Sequence, residues 1–159
     1  MFSTLQNINF RKQDSEEVKA QIKEAIEHLS FATSMCLRQA TGGRRYLLEH
    51  PAGATSFQTA ILNKVFFVEG GVRVNFDFCM AGMVSSRGGE GEKVKKRTGV
   101  MTNSPEVVSE LKKLQCDNTH SHTWLIDGKA KECERYADLF CEIICKAAMT
   151  DKNEKASAK

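Results

Sequence analysis

Apolar residues recur at three- and four-residue spacing from Val18 to Leu37: Val18, Ile22, Ala25, Ile26, Leu29, Thr33, Cys36 and Leu37, with Lys19, Lys23, Glu24 and Glu27 between them. A 3.6-residue period gathers such positions into one stripe, so the spacing predicts a helix from Asp14 to about Gln39 that packs one face on a sheet. Asp14-Ser15-Glu16-Glu17 supplies its start, a capping oxygen followed by acids that suit the positive end of the helix dipole. Gly42-Gly43 ends it. Arg45 to Glu49 shows little polar alternation and predicts a short strand covered on both faces, running into the loop Pro51-Ala52-Gly53-Ala54-Thr55-Ser56.

Beyond that loop, Ala60, Ile61, Leu62, Val65, Phe66 and Val68 form an apolar cluster closed by Gly70-Gly71, read as a second helix, with a strand over Val65 to Glu69 as the competing reading. Val72 to Phe78 alternates apolar Val72, Val74, Phe76 and Phe78 with Arg73, Asn75 and Asp77, the period of two that defines a strand. Ser85 to Glu92 is rich in glycine and charge and predicts an excursion before a strand resumes over Lys95 to Thr102. Asn103-Ser104-Pro105-Glu106 opens another helix, with proline in the first turn where its missing N–H costs nothing. Cys116 to Glu132 has no period. Tyr136, Leu139, Phe140, Ile143, Ile144 and Ala147 mark a last amphipathic helix, and residues 150–159 read as a flexible polar tail. Helices alternating with strands in this way predict an α/β domain over residues 1–149.

Composition narrows the class. At 159 residues, 41% hydrophobic and 27% charged, the chain has enough apolar surface for one core. A net charge of +3 permits a nucleic-acid partner without demanding one. No apolar stretch has the length of a membrane span, and Met1 to Asn7 lacks the order of a secretory signal, so an intracellular chain, cytosolic or nuclear, without a membrane partner is expected. Six cysteines could form three disulfides, but Cys36, Cys141 and Cys145 fall in helical apolar patterns and are expected as reduced, buried thiols.

Two clusters carry candidate chemistry. Cys116-Asp117-Asn118-Thr119-His120-Ser121-His122 gathers one thiol and two imidazoles in seven residues. Zinc takes Cys and His in tetrahedral sets, and Cys79 would supply a fourth ligand if the strand after Gly71 lies beside this loop. The spacing matches none of the standard zinc fingers, and ordinary polar loop residues are the competing reading. Lys93, Lys95, Lys96 and Arg97 form a basic run that suits a phosphate backbone or simply a solvated hairpin. Glu49 stands at the end of a strand before a Pro/Gly/Ser loop, where open α/β sheets present functional side chains.

Four short stretches then fall in one order: Phe2-Ser3, Leu48-Glu49-His50-Pro51, Asp77-Phe78-Cys79-Met80-Ala81-Gly82 and Lys95-Lys96-Arg97-Thr98-Gly99-Val100-Met101-Thr102-Asn103. Together they resemble the later half of DNA cytosine-5 methyltransferases, with closer similarity to divergent segments of phage enzymes and retroelement polyproteins, over Met1 to about Ala148. The resemblance implies a partial Rossmann-like sheet of about three to four strands flanked by helices, its last strand antiparallel between its neighbours. Glu49 matches the family Glu that contacts the flipped cytosine as a thiolate adds to the ring. His50 and Pro51 depart from the family's Glu-Asn-Val. Ser3 matches the end of the nucleophile loop, and Lys95, Lys96 and Arg97 loosely replace an arginine-rich run; these four are the implied substrate contacts. The glycine-rich turn for S-adenosylmethionine and the Pro-Pro-Cys nucleophile are not seen in the chain, so it is expected to be inactive alone, with the cofactor bound only if a missing upstream half or another polyprotein segment supplies the rest. DNA is the implied partner. The alternative is a zinc-stapled nucleic-acid-binding or structural module of a retroelement polyprotein, built on Cys79, Cys116, His120 and His122.

Overall fold

Spacing of apolar residues sets the elements seen in the computed structural model, which describes residues 15–85, 92–123 and 134–157. Helix α1 covers Ser15–Thr41, strand β1 Leu47–Pro51, a 3₁₀ turn Thr55–Gln58, helix α2 Ala60–Phe66 and strand β2 Val72–Asp77. Strands β3 (Lys93–Val94) and β4 (Arg97–Thr102), helix α3 (Pro105–Lys112), strand β5 (His122–Thr123) and helix α4 (Asp138–Ser157) follow. Ser3 and most of the expected excursion from Ser85 to Glu92 lie outside the described residues.

Strands β1, β4 and β2 form one sheet in that order, and β3 pairs with β5 in parallel. At one end of β4, the Thr102 hydroxyl donates to the carbonyl of Tyr46, just before β1, at 2.6 Å. At its other end, the N–H of Phe78, just past β2, donates to the carbonyl of Lys96 at 3.1 Å. β4 therefore runs antiparallel to both neighbours. This is the expected α/β class, with the last strand of the sheet antiparallel between the other two.

The chain divides into two compact units, Met1–Arg73 with Gly99–Asn103, and Val74–Thr98 with Ser104–Lys159. In the first, Leu29 and Cys36 of α1, Tyr46 and Leu48, Leu62 and Val65 of α2, and Met101 form one buried cluster. The region Val65 to Glu69 is helical in its first part because Thr59 caps α2, its side chain accepting the N–H of Leu62. Gly71 closes the turn, where any Cβ would stand 2.9 Å from the carbonyls of Val65 and Val68.

In the second unit Phe76, Phe78 and Phe140 are buried, with Phe76 and Phe140 stacked at 5.1 Å between centroids. Val107 and Leu111 bury the inner face of α3, whose cap is Ser104 with Pro105 in the first turn. On α4 the buried positions are Phe140, Ile143 and Ala147. Cys141 and Cys145 of the same helix are exposed, which corrects the expectation that they are core thiols. Cys36 is buried as expected. The described cysteines are all unbridged. Among the described residues no helix is long and apolar enough to cross a membrane.

Candidate metal centre

The end of β2 turns sharply. The N–H groups of Met80 and Ala81 donate to the carbonyls of Asp77 and Phe78, both at 3.0 Å, and Met83 returns to Phe78 at 3.0 Å. Gly82 has φ of 86°, a left-handed conformation that a side chain would strain. Cys79 stands inside this turn, fully buried. The chain continues into a bridge between Val84 and Lys93 and a bond from the N–H of Val94 to Met83, so β3 lies against the turn.

A second segment is delivered by α3. After its last turn the carbonyl of Leu114 accepts the N–H of Asp77 at 2.9 Å, and the Oδ2 of Asp77 accepts the N–H of Cys116 at 3.0 Å. Asp77 is itself 2% exposed, so these two bonds fix the Cys116 loop to the strand end from inside the unit. Asn118 adopts φ of 61° and turns its N–H toward the Cys116 Sγ at 3.4 Å. Asp117 accepts both the N–H and the hydroxyl of Thr119, which lowers its carboxyl below the usual range. Strand β5 then sets His122 opposite Lys93, and the Thr123 hydroxyl donates to Glu92 at 2.8 Å.

These segments bring the four sequence-expected ligands together. One donor atom from each of Cys79, Cys116, His120 and His122 falls in a group whose members all lie within 4.8 Å of one another. The Cys116 Sγ is 3.4 Å from the Nε2 of His122 and 3.8 Å from that of His120. Zinc bonds of about 2.3 Å to sulfur and about 2.0 Å to nitrogen in a tetrahedron imply S–N edges of about 3.5 Å. The sulfur-to-imidazole separations are therefore already those of a coordination sphere. Burial, a hydrogen bond with the Cys116 thiol and the charge of Asp77 push the Cys79 thiol up to about 11. Burial, then the neighbouring His120 and Lys95, lower the imidazole of His122, with Asp77 opposing them.

The other sequence-expected residues divide between the units. Lys95 donates to the Oδ1 of Asn118 at 2.5 Å, tying the chain just before β4 to the Cys116 loop. Lys96 lies over the rings of Phe78 and Tyr136, its Nζ 5.2 and 5.6 Å from their centroids. Arg97 is exposed at the start of β4. Glu49 belongs to the first unit, half-buried on β1 and alternating with Leu48, whose side chain joins the core cluster. Beside it the Nδ1 of His50 is 2.8 Å from the Oγ of Ser56, the ring meets Phe57 edge-on, and Arg73 stacks on Phe57 while donating to the carbonyl of Ala52 at 2.6 Å. Sequence reasoning did not place Asp77 beside the candidate ligands. Its signal was an acid two positions before Cys79, at the buried end of an otherwise regular strand.

No family model, curated protein or solved structure matches this chain.

Proposed function

We propose that Cys79, Cys116, His120 and His122 bind one zinc ion that acts as a structural staple for the second unit. The observation that carries this reading is the convergence of four soft or borderline donors from the turn after β2, the loop after α3 and strand β5. Two thiolates and two imidazoles suit zinc. Four protein ligands fill a tetrahedron and leave no open position for water or substrate, which favours a structural role over a catalytic one. The loop from Gln115 to Ser121 has no apolar side chain besides that of Cys116, so coordination energy would take the place of a core there. In this reading the chain is a metal-stapled binding module, and the exposed Lys95 and Arg97 give it a basic surface for a nucleic-acid backbone. Elemental analysis of protein purified without chelator tests it: one zinc per chain, lost on Cys116→Ala, is the expected result, and no bound metal ends the reading.

A second reading is supported by β4 running antiparallel between β1 and β2 and by Glu49 on β1 before the Pro51 to Ser56 loop. Here the chain is the base-facing part of a DNA cytosine methyltransferase-like domain, with Glu49 holding the flipped base and Ser3, Lys95, Lys96 and Arg97 contacting substrate. S-adenosylmethionine would be bound by another polypeptide segment. With that segment supplied, replacement of Glu49 by Gln should then abolish methyl transfer while DNA binding persists; unchanged transfer would remove the reading.

A further inference from the structure

Two of the four candidate ligands are thiols, and backbone hydrogen bonds bring their sulfurs together. The Sγ atoms of Cys79 and Cys116 belong to the group of donor atoms that all lie within 4.8 Å of one another. Asp77, two positions before Cys79, sets this approach by donating its N–H to the carbonyl of Leu114 and accepting the N–H of Cys116 at its Oδ2. The hydrogen-bonded turn from Asp77 to Met83 holds Cys79, which is fully buried. Cys116 is partly exposed, on a loop without regular structure. The other described thiols lie on helices, Cys36 buried on α1 and Cys141 and Cys145 exposed on α4. One sulfur that an oxidant reaches, beside a second that is shielded, is the arrangement of a reactive thiol and its resolving partner.

We infer that Cys116 is a site of oxidation by peroxides and that Cys79 resolves it as a disulfide, expelling the metal. The inference rests on the zinc reading for the fate of the ion and deepens it into a regulated site. In the zinc-bound chain both sulfurs are thiolates. The Cys116 thiolate attacks one oxygen of hydrogen peroxide; an S–O bond forms as the O–O bond breaks, and the departing hydroxide takes a proton from solvent. The Cys79 thiolate then attacks the Cys116 sulfur; the S–S bond forms, the S–O bond breaks, and the second hydroxide takes a proton and leaves as water. Two electrons pass from the two sulfurs to the peroxide, which ends as two molecules of water. Closing the separation between the sulfurs falls to the side chain of Cys116 and its irregular loop, which yields more readily than the turn around Cys79. A disulfide offers zinc no thiolate, so two of four ligands are lost in one event and His120 and His122 alone do not hold the ion.

The test treats the full chain, loaded with zinc, with hydrogen peroxide. A chromogenic chelator reads the released ion, and peptide mapping without reductant locates the disulfide. One zinc should leave for each Cys79–Cys116 disulfide formed, and a dithiol reductant should restore both thiols and zinc binding. In Cys79→Ser the sulfenic acid on Cys116 loses its resolving partner and should be trapped by dimedone severalfold more than in the unaltered chain. A disulfide from Cys116 to another cysteine, Cys133 included, overturns the inference, as does a sulfinic acid on Cys116 with Cys79 still a free thiol. Both are read on the unaltered chain, so they decide the matter even if the variant does not fold. A chain that takes up no zinc ends the metal reading, and the disulfide map of that metal-free chain still decides the pairing. A chain that binds zinc and keeps its ion and both thiols under peroxide ends only this inference.

Discussion

In the unit built from α1, β1 and α2, order comes from apolar side chains: Leu29, Cys36, Tyr46, Leu48, Leu62, Val65 and Met101 are buried against one another. Polar groups there close gaps in the core, as when the Tyr46 hydroxyl donates to the carbonyl of Val65 at 3.2 Å. In the segment that carries Cys116, His120 and His122, in the other unit, the balance is reversed. The loop from Gln115 to Ser121 has no regular structure, one left-handed asparagine, and contacts made by a thiol, two imidazoles, a buried carboxylate and a lysine. The hydrophobic effect is non-directional and tolerates small shifts, whereas coordination and hydrogen bonds fix geometry and fail together when one member is lost. The two regions should accordingly respond to different insults.

The largest expected effect is on the second of them. Structural zinc is bound with an apparent free energy of about 10–16 kcal/mol in small finger domains, and that energy is also folding energy. Chelation, or Cys116→Ala, should abolish protection of the backbone amides from Cys116 to Thr123 in hydrogen exchange while amides of α2 stay protected. Equal loss in both regions would show that the contrast is wrong.

Next in size is the converse experiment. Leu62 is fully buried in the apolar cluster, and truncation to Ala removes its contacts and leaves a cavity. Denaturant unfolding should show a loss of about 2–5 kcal/mol, with zinc affinity unaffected. A smaller effect is expected at the start of α3, where the Oγ of Ser104 accepts the N–H of Val107. Ser104→Ala should cost about 1 kcal/mol, read as a lowered melting temperature, because the N–H of Val107 loses its side-chain acceptor while only a hydroxyl is removed.

The same contrast explains what could be read from sequence. The 3.6-residue period of α1 and the period of two in β2 are imprinted by one-sided burial, so both elements stand within a few residues of where the spacing places them. Helix α4 shows the limit of that signal. Cys141 and Cys145 keep a four-residue spacing, but the buried stripe is set by Phe140, Ile143 and Ala147, and the cysteines fall on its outer side. Of the four candidate ligands, Cys116, His120 and His122 were legible as a local cluster. Cys79 depended on a contact between distant segments, made by Asp77 bonding Leu114 and Cys116, which no local period records. Strand order has no local signature either, since the pairing of β4 with both β1 and β2 rests on contacts far apart along the chain; the expected order came from the family resemblance and not from any period.

The smallest effect concerns pH and returns to the apolar unit. Burial lowers the imidazole of His50 below its ordinary value of 6.5, and the nearby Glu49 only partly offsets this. The folded chain therefore favours the neutral ring, whose Nδ1 is bonded to Ser56. Above the unfolded value both states hold His50 neutral, and its contribution to stability is fully present. As pH falls below that value the unfolded chain takes up the proton first, so stability declines until the lower folded value has been passed. Zinc held by the proposed ligands would also be released by acid, because thiolates and neutral imidazoles are needed for coordination. The difference between the unaltered chain and His50→Gln, each melted between about pH 7.5 and about pH 5, isolates the contribution of His50. The variant should show the shallower decline, by an amount well below the Leu62→Ala effect. Parallel curves would show that His50 does not contribute to the pH response.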